Sequence, residues 1–145
     1  MAVFLFATFY INFLVFKSYV FQYDLIQEFN TGRRSQNTLN MFNEQNINDL
    51  VIDLRYNSGG LLFLSSQIAY MIAGDKSQGE TYFQSRQNSK LPSSDPLLFV
   101  DVQVDYVNSR ITKNPLPTLN LNRVYILSTQ DTCSASEAVI NGLRG

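Results

Sequence analysis

The sequence predicts an α/β domain with a largely parallel sheet, on three observations. Two short apolar runs, Asp49–Arg55 (DLVIDLR) and Arg123–Ser128 (RVYILS), read as strands buried on both faces. Each is followed at once by a turn, and each turn by a segment with helical spacing of apolar residues. Strands alternating with helices in this way are the mark of a parallel sheet whose helices serve as crossovers.

The elements follow in order. Met1–Phe16 is uncharged and rich in Phe, Leu and Val. A buried strand suits that composition, and the run falls short of the ~20 apolar residues of a spanning helix. A targeting or anchoring segment and a wrong start site are the alternatives, although neither a basic leader nor a small-residue cleavage site is present. Ile11–Phe21 (INFLVFKSYVF) reads as one or two strands. Tyr23–Phe42 turns helical, with Leu25, Ile26, Phe29, Leu39, Met41 and Phe42 as its apolar face and Thr31-Gly32 as an interruption.

After the first buried run, Tyr56-Asn57-Ser58-Gly59-Gly60 is a turn. Leu61–Ala73 is a helix, with Leu64, Ile68, Met71 and Ile72 spaced for burial and Gly74 as its C-terminal cap. Thr81–Arg86 reads as a strand, Gln87–Pro96 as an exposed loop, Leu98–Val104 as an alternating strand and Asn108–Asn120 as a second loop. Thr129–Thr132 turns out of the second buried run, and a helix starts at Ser134 and runs to Leu143. No internal repeat is visible.

Composition excludes several classes of function. The net charge of −1 gives no electrostatic case for nucleic acid or an anionic membrane surface. The chain has no histidine, so a Ser-His-Asp or Cys-His mechanism cannot be completed within it. Histidine-based zinc sites are excluded on the same ground, and the single cysteine, Cys133, can build neither a thiolate cage nor an internal disulfide. No cofactor is expected.

Two segments carry candidate chemistry: Asp53-Leu54-Arg55-Tyr56-Asn57-Ser58-Gly59-Gly60 and Thr132-Cys133-Ser134-Ala135-Ser136-Glu137. Each lies between a buried strand and a helix, and sites in open α/β sheets gather at the carboxyl ends of strands. A serine at a helix start sits beside free amides that favour developing negative charge. Its Oγ could attack a carbonyl while those amides hold the oxyanion. The plain alternative is a capping box, Ser134 with Glu137. For the glycine pair, close backbone approach to a ligand stands against a simple turn in which Asn57 folds back on its own backbone.

Taken together, DLRYNSGG followed by RVYILSTQDTCSASEAVINGLRG resembles the tail-specific, C-terminal-processing serine peptidases, family S41. The match is close over Asp49 to Leu64 and Asn120 to Gly145, and looser over Ile11 to Asp24. The resemblance implies a ClpP/crotonase-like fold, a spiral of ββα units, here incomplete. It makes Ser134 the nucleophile, with the amides of Ala135 and of Gly59 or Gly60 holding the oxyanion. Asp53 and Arg55 would brace the turn, and Ser136 and Glu137 would fix the helix start. Substrates of the family are polypeptide C-termini, often admitted by a PDZ domain, which is not recognisable here.

The family's base is a Lys beyond the nucleophile helix, with the lowered pKa that burial confers. No Lys follows Ser134, and Lys17, Lys76, Lys90 and Lys113 lie in segments that do not match the base motif. The 145-residue chain is therefore expected to be a partial, catalytically incomplete peptidase domain, with a strand and helix over 11–45 and a core over 49–145. Poor solubility is expected, from an open apolar edge at the last strand. Ser58 replaces a glycine common in the family's turn. Cys133 reads as a small buried residue rather than a thiol nucleophile. A non-catalytic peptide-binding module and a thioester-acting relative are the competing readings. The resemblance places the protein in the periplasm, cell envelope or outside the cell; membrane association and oligomeric state are open.

Overall fold

A computed structural model describes residues 18–22, 31–92, 94–105 and 110–144. The readings made for Met1–Phe16, for residues 23–30 and for the first part of Ile11–Phe21 lie outside these residues.

The centre of the molecule is a three-stranded parallel sheet in the order β1-β2-β7, formed by β1 (Ser18–Gln22), β2 (Asp49–Asp53) and β7 (Val124–Leu127). β2 is the middle strand, with Val51 opposite Val20 on one side and Ile52 opposite Ile126 on the other. Between β1 and β2 runs α1 (Thr31–Glu44). After β2 comes α2 (Leu62–Ala73), and after β7 comes α3 (Ala135–Gly142). The chain is thus α/β with a parallel central sheet, as its strand–helix alternation predicts.

Burial along β2 has the two-residue period of a pleated strand. Leu50, Ile52 and Leu54 are at most 1% exposed, whereas Val51 is half-buried. The expectation of burial on both faces is corrected here, and more so at β7. Val124 and Ile126 pack on the core, while Tyr125 and Leu127 are exposed. An apolar run shows that a strand has at least one covered face; it does not show that it has two. Among the described residues β7 is paired on one side only, with β2.

On the covered face lie Leu39 and Phe42 from α1, Leu64, Ile68, Met71 and Ile72 from α2, and Ala135, Ala138 and Val139 from α3. Met41, assigned to the apolar face of α1, is exposed instead, because it stands two residues (~200°) round the helix from Leu39. Thr31 and Gly32 are the first described residues of α1 and are helical. All four predicted core positions of α2 are buried, and so are Ser65, Ser66 and Gln67. Such polar groups are stable inside only when paired, and each is. Ser65 Oγ accepts the Tyr82 hydroxyl at 2.8 Å and donates to the Leu62 carbonyl. Ser66 Oγ bridges the Leu98 carbonyl and the Val100 N–H, and Gln67 Nε2 donates to the Val102 carbonyl. Gly74 closes α2 at φ +80°, its N–H on the Tyr70 carbonyl, as a glycine cap should.

Two small antiparallel ribbons complete the fold: β3 (Thr81–Phe83) with β4 (Leu97–Leu98), and β5 (Val102–Asp105) with β6 (Arg110–Pro115). They correct two expectations. Leu98–Val104 is not one strand but the end of one and the start of another. Asn108–Asn120 is not all loop, because Arg110–Pro115 pairs with β5. β6 buries little, with Ile111 68% exposed, so it lacks the alternation by which a half-buried strand is read from sequence.

An ion pair pins the start of the central register. Arg123 Nε and Nη2 reach the two carboxylate oxygens of Asp49 at 2.6 and 2.9 Å. The hydrogen-bonded guanidinium holds the Asp49 carboxyl below the ordinary carboxylate value of 3.8, and Arg55 does the same for Asp53. A carboxyl with a lowered folded pKa contributes stability above its unfolded pKa, and that contribution is lost as pH falls through the folded one. The melting temperature is therefore expected to be flat above about pH 5 and to fall below about pH 4. Arg123→Ala should flatten part of that acid limb, which thermal melts across pH 3–7 would show.

Candidate active site

Because β2 and β7 are parallel neighbours, with Asp53 opposite Leu127, the chain leaves both strands at the same edge of the sheet. The two segments singled out in the sequence are therefore side by side. A seam of hydrogen bonds joins them. Leu54 N–H donates to the Leu127 carbonyl at 2.9 Å. The buried Thr132 hydroxyl donates to the Leu54 carbonyl at 2.6 Å and accepts the Thr129 N–H at 3.0 Å. The Thr129 hydroxyl donates to the Arg55 carbonyl, and the Cys133 thiol reaches the Ser58 carbonyl at 3.0 Å.

The tightest approach is at Gly59. Its backbone has φ +108°, and a Cβ placed there would stand 2.6 Å from Ser134 Cβ, 2.9 Å from the Cys133 carbonyl oxygen and 3.0 Å from Ala135 N. Only a residue without a side chain can bring the two turns so close.

Ser134 caps α3, is exposed, and has φ +56° and ψ −124°. A non-glycine residue in that region is sterically costly and persists only where its surroundings impose it. The capping box expected of Ser134 and Glu137 is present. The Ser134 N–H donates to Glu137 Oε2 at 3.1 Å, and the Ser134 side chain faces the Glu137 N–H without a full cap hydrogen bond. The backbone of Ser134 is fixed, and the residue stays exposed. Ala135 occupies the first helical position, where the N–H has no intrahelical acceptor.

Other predicted residues fall as follows. Gly59 N–H is already given to Asn57 Oδ1 at 3.0 Å, so of the two glycine amides that of Gly60, exposed at the end of the turn, is the one available to a ligand. Asn57 does fold back on its own backbone, the plain reading of this turn. Asp53 and Arg55 form a bidentate pair at 3.0 and 2.8 Å, and the Arg55 N–H adds a third bond at 3.1 Å; they brace the turn from outside. Ser136, in the first turn of α3, donates its N–H to the Cys133 carbonyl at 3.1 Å and its hydroxyl across the seam to Asn57 at 2.9 Å. Cys133, expected to be buried, is exposed, because its thiol lies along the outside of the seam. Thr132 and Ser136, absent from the predicted catalytic set, are buried fasteners. Their hydroxyls are small enough for an interior, but only the fold shows what they meet.

No lysine stands at this turn among the described residues: Lys76 donates to the Leu121 carbonyl, and Lys90 and Lys113 are exposed on the β3–β4 connection and on β6. No group of three or more metal-ligating side chains is found among the described residues. A shallow concavity lined by Phe42, Asn46, Ile47, Asn48 and Leu119 lies before β2 begins, at the opposite end of the strand from both turns.

A sequence model of peptidase family S41 matches residues 12–145. Two solved structures resemble the chain. One is described as an S41 protease from Bacteroides fragilis NCTC 9343, with a TM-score of 0.67 and 23% identity over 94% of this chain and 35% of the other. The second is a photosystem II D1 C-terminal processing protease, with a TM-score of 0.52 and 17% identity over 88% of this chain and 28% of the other. Both likenesses are of fold, and the chain spans about a third of the length of these proteins. No curated protein matches it.

Proposed function

The chain belongs to peptidase family S41, and from that membership we propose that it carries the nucleophile turn of a serine endopeptidase acting on polypeptide C-termini. The observation that supports this reading is the packing of Gly59 against Ser134, so close that a Cβ at Gly59 would stand 2.6 Å from Ser134 Cβ; it sets the glycine turn beside an exposed serine. In the reaction, Ser134 Oγ bonds to the scissile carbonyl carbon and its proton passes to a base. The carbonyl oxygen becomes the oxyanion, held by the N–H groups of Ala135 and Gly60. Collapse of the tetrahedral intermediate breaks the C–N bond, the leaving amine takes the proton, and water later hydrolyses the acyl-serine.

Residues 1–145 form part of the catalytic domain in this reading. Supply of the base by a lysine outside these residues accounts for the lack of one at the turn among the described residues. The 145-residue chain alone is accordingly expected to cleave no peptide. The substrate class and a site of action in the cell envelope or beyond it follow from the likeness to C-terminal processing proteases. No helix among the described residues is long and apolar enough to cross a membrane.

The test is a fluorophosphonate probe applied to the complete protein that carries this chain. Covalent labelling that maps to Ser134 and vanishes in Ser134→Ala is the expected result. Labelling that persists in Ser134→Ala would sink the assignment of the nucleophile. Peptide binding with no labelling at all would favour a non-catalytic module of the same fold.

A further inference from the structure

Asn57 lies in neither a strand nor a helix, yet its side chain touches both halves of the site. It is 6% exposed. Its Oδ1 accepts the Gly59 N–H at 3.0 Å from its own turn and the Ser136 hydroxyl at 2.9 Å from the first turn of α3. Ser136 is wholly buried and stands two residues beyond Ser134. A carboxamide oxygen has two lone pairs, and here one serves each turn.

The other ties across the seam act differently. The hydroxyls of Thr129 and Thr132 and the thiol of Cys133 all hold backbone carbonyls of residues 54–58. Asn57 instead takes hold of the Gly59 amide with its side chain, while also bonding across the seam. Because it does so, the Ser58–Gly59 peptide plane cannot rotate freely, and the φ and ψ of Gly59 then carry that fixed plane on to the next N–H, at Gly60.

Building on the serine-peptidase reading above, we propose that Asn57 is a positioning residue for the reaction at Ser134. Its carboxamide oxygen locks the Gly59 amide to the Ser136 hydroxyl, so that the N–H groups of Gly60 and Ala135 converge on one oxygen atom. Asn57 touches no reacting atom. Its effect is geometric, and geometry is costly to lose: a misplacement of about 1 Å lowers a rate roughly 100-fold.

The experiment compares the parent protein with Asn57→Leu, Asn57→Asp and Ser136→Ala in the complete protein that carries this chain. Hydrogen exchange at Gly59 N–H reads the lock directly, and fluorophosphonate labelling of Ser134 reads its consequence. In Asn57→Leu, which keeps the branched shape with somewhat greater bulk and loses the acceptor, Gly59 should lose its protection. The saturating labelling rate should fall about 100-fold while the half-saturating probe concentration changes little. Asn57→Asp keeps the accepting oxygen and should restore part of that rate, which a loss of packing alone would not explain. Ser136→Ala removes one of the two bonds and should slow labelling about fivefold; it gives the same comparison should Asn57→Leu fail to fold. Unchanged Gly59 protection in folded Asn57→Leu overturns the lock and leaves the peptidase reading intact. A parent protein that never labels at Ser134 sinks that reading instead, and the exchange data then decide the lock alone.

Discussion

Gly59→Ala is expected to destabilise the protein by about 2–6 kcal/mol and to abolish labelling at Ser134. Two costs combine. The backbone at φ +108° is strained for any residue with a Cβ, by about 1–3 kcal/mol. The added methyl group would also meet Ser134 Cβ at 2.6 Å, the Cys133 carbonyl at 2.9 Å and Ala135 N at 3.0 Å. Two of these atoms are backbone and the third is the root of a side chain, so no rotamer change relieves the contact. Overpacking of that kind costs about 1–3 kcal/mol more, and the structure can yield only by opening the seam that holds the site. Gly79→Ala separates the two terms, because Gly79 has φ +78° with nothing within 4 Å of a Cβ. It should show the backbone cost alone and label normally. Urea melts of both variants make the comparison, and equal losses would mean that the two turns do not approach as closely as described.

The main lines of this site were legible because they are written in local pattern. DLVIDLR and RVYILS announce strands, glycines announce a turn, and S-x-x-E announces a helix start. Parallel pairing of the two strands then places their carboxyl ends at one edge. What could not be read is which polar side chains cross from one turn to the other. Asn57 looks the same in sequence whether its oxygen ends on its own backbone or also accepts Ser136 across a separation of 79 residues. β6 escaped notice for a related reason. Its pairing with β5 rests on backbone hydrogen bonds with little buried apolar surface, and backbone bonds leave no trace in side-chain pattern. Met41 and Cys133 were misplaced by composition, since an apolar or small residue is enriched in interiors without being confined to them.

Leu54 joins the sheet to the site, and Leu54→Ala is expected to cost about 2–5 kcal/mol. Its side chain is 1% exposed, within the same cluster as Leu50 and Ile52. Its backbone is the anchor of the seam: the N–H donates to the Leu127 carbonyl, and the carbonyl accepts both the Thr132 hydroxyl and the Asn57 N–H. Truncation leaves those backbone groups in place and removes the packing that holds them still. The loss is large against the roughly 5–15 kcal/mol by which a domain is stable. The urea midpoint should therefore drop sharply with little change in slope. Labelling at Ser134 should slow even at temperatures where the variant is folded, because a carbonyl free to move by a fraction of an ångström no longer fixes Thr132 and Asn57 in register. Two exposed apolar neighbours provide the contrast. Tyr56 is 76% and Leu61 60% exposed, and their alanine variants should change stability by no more than about 0.5 kcal/mol. A Leu54→Ala midpoint no lower than that of Tyr56→Ala would show that the turn is held by its hydrogen bonds alone and that the core beneath it contributes nothing to the site.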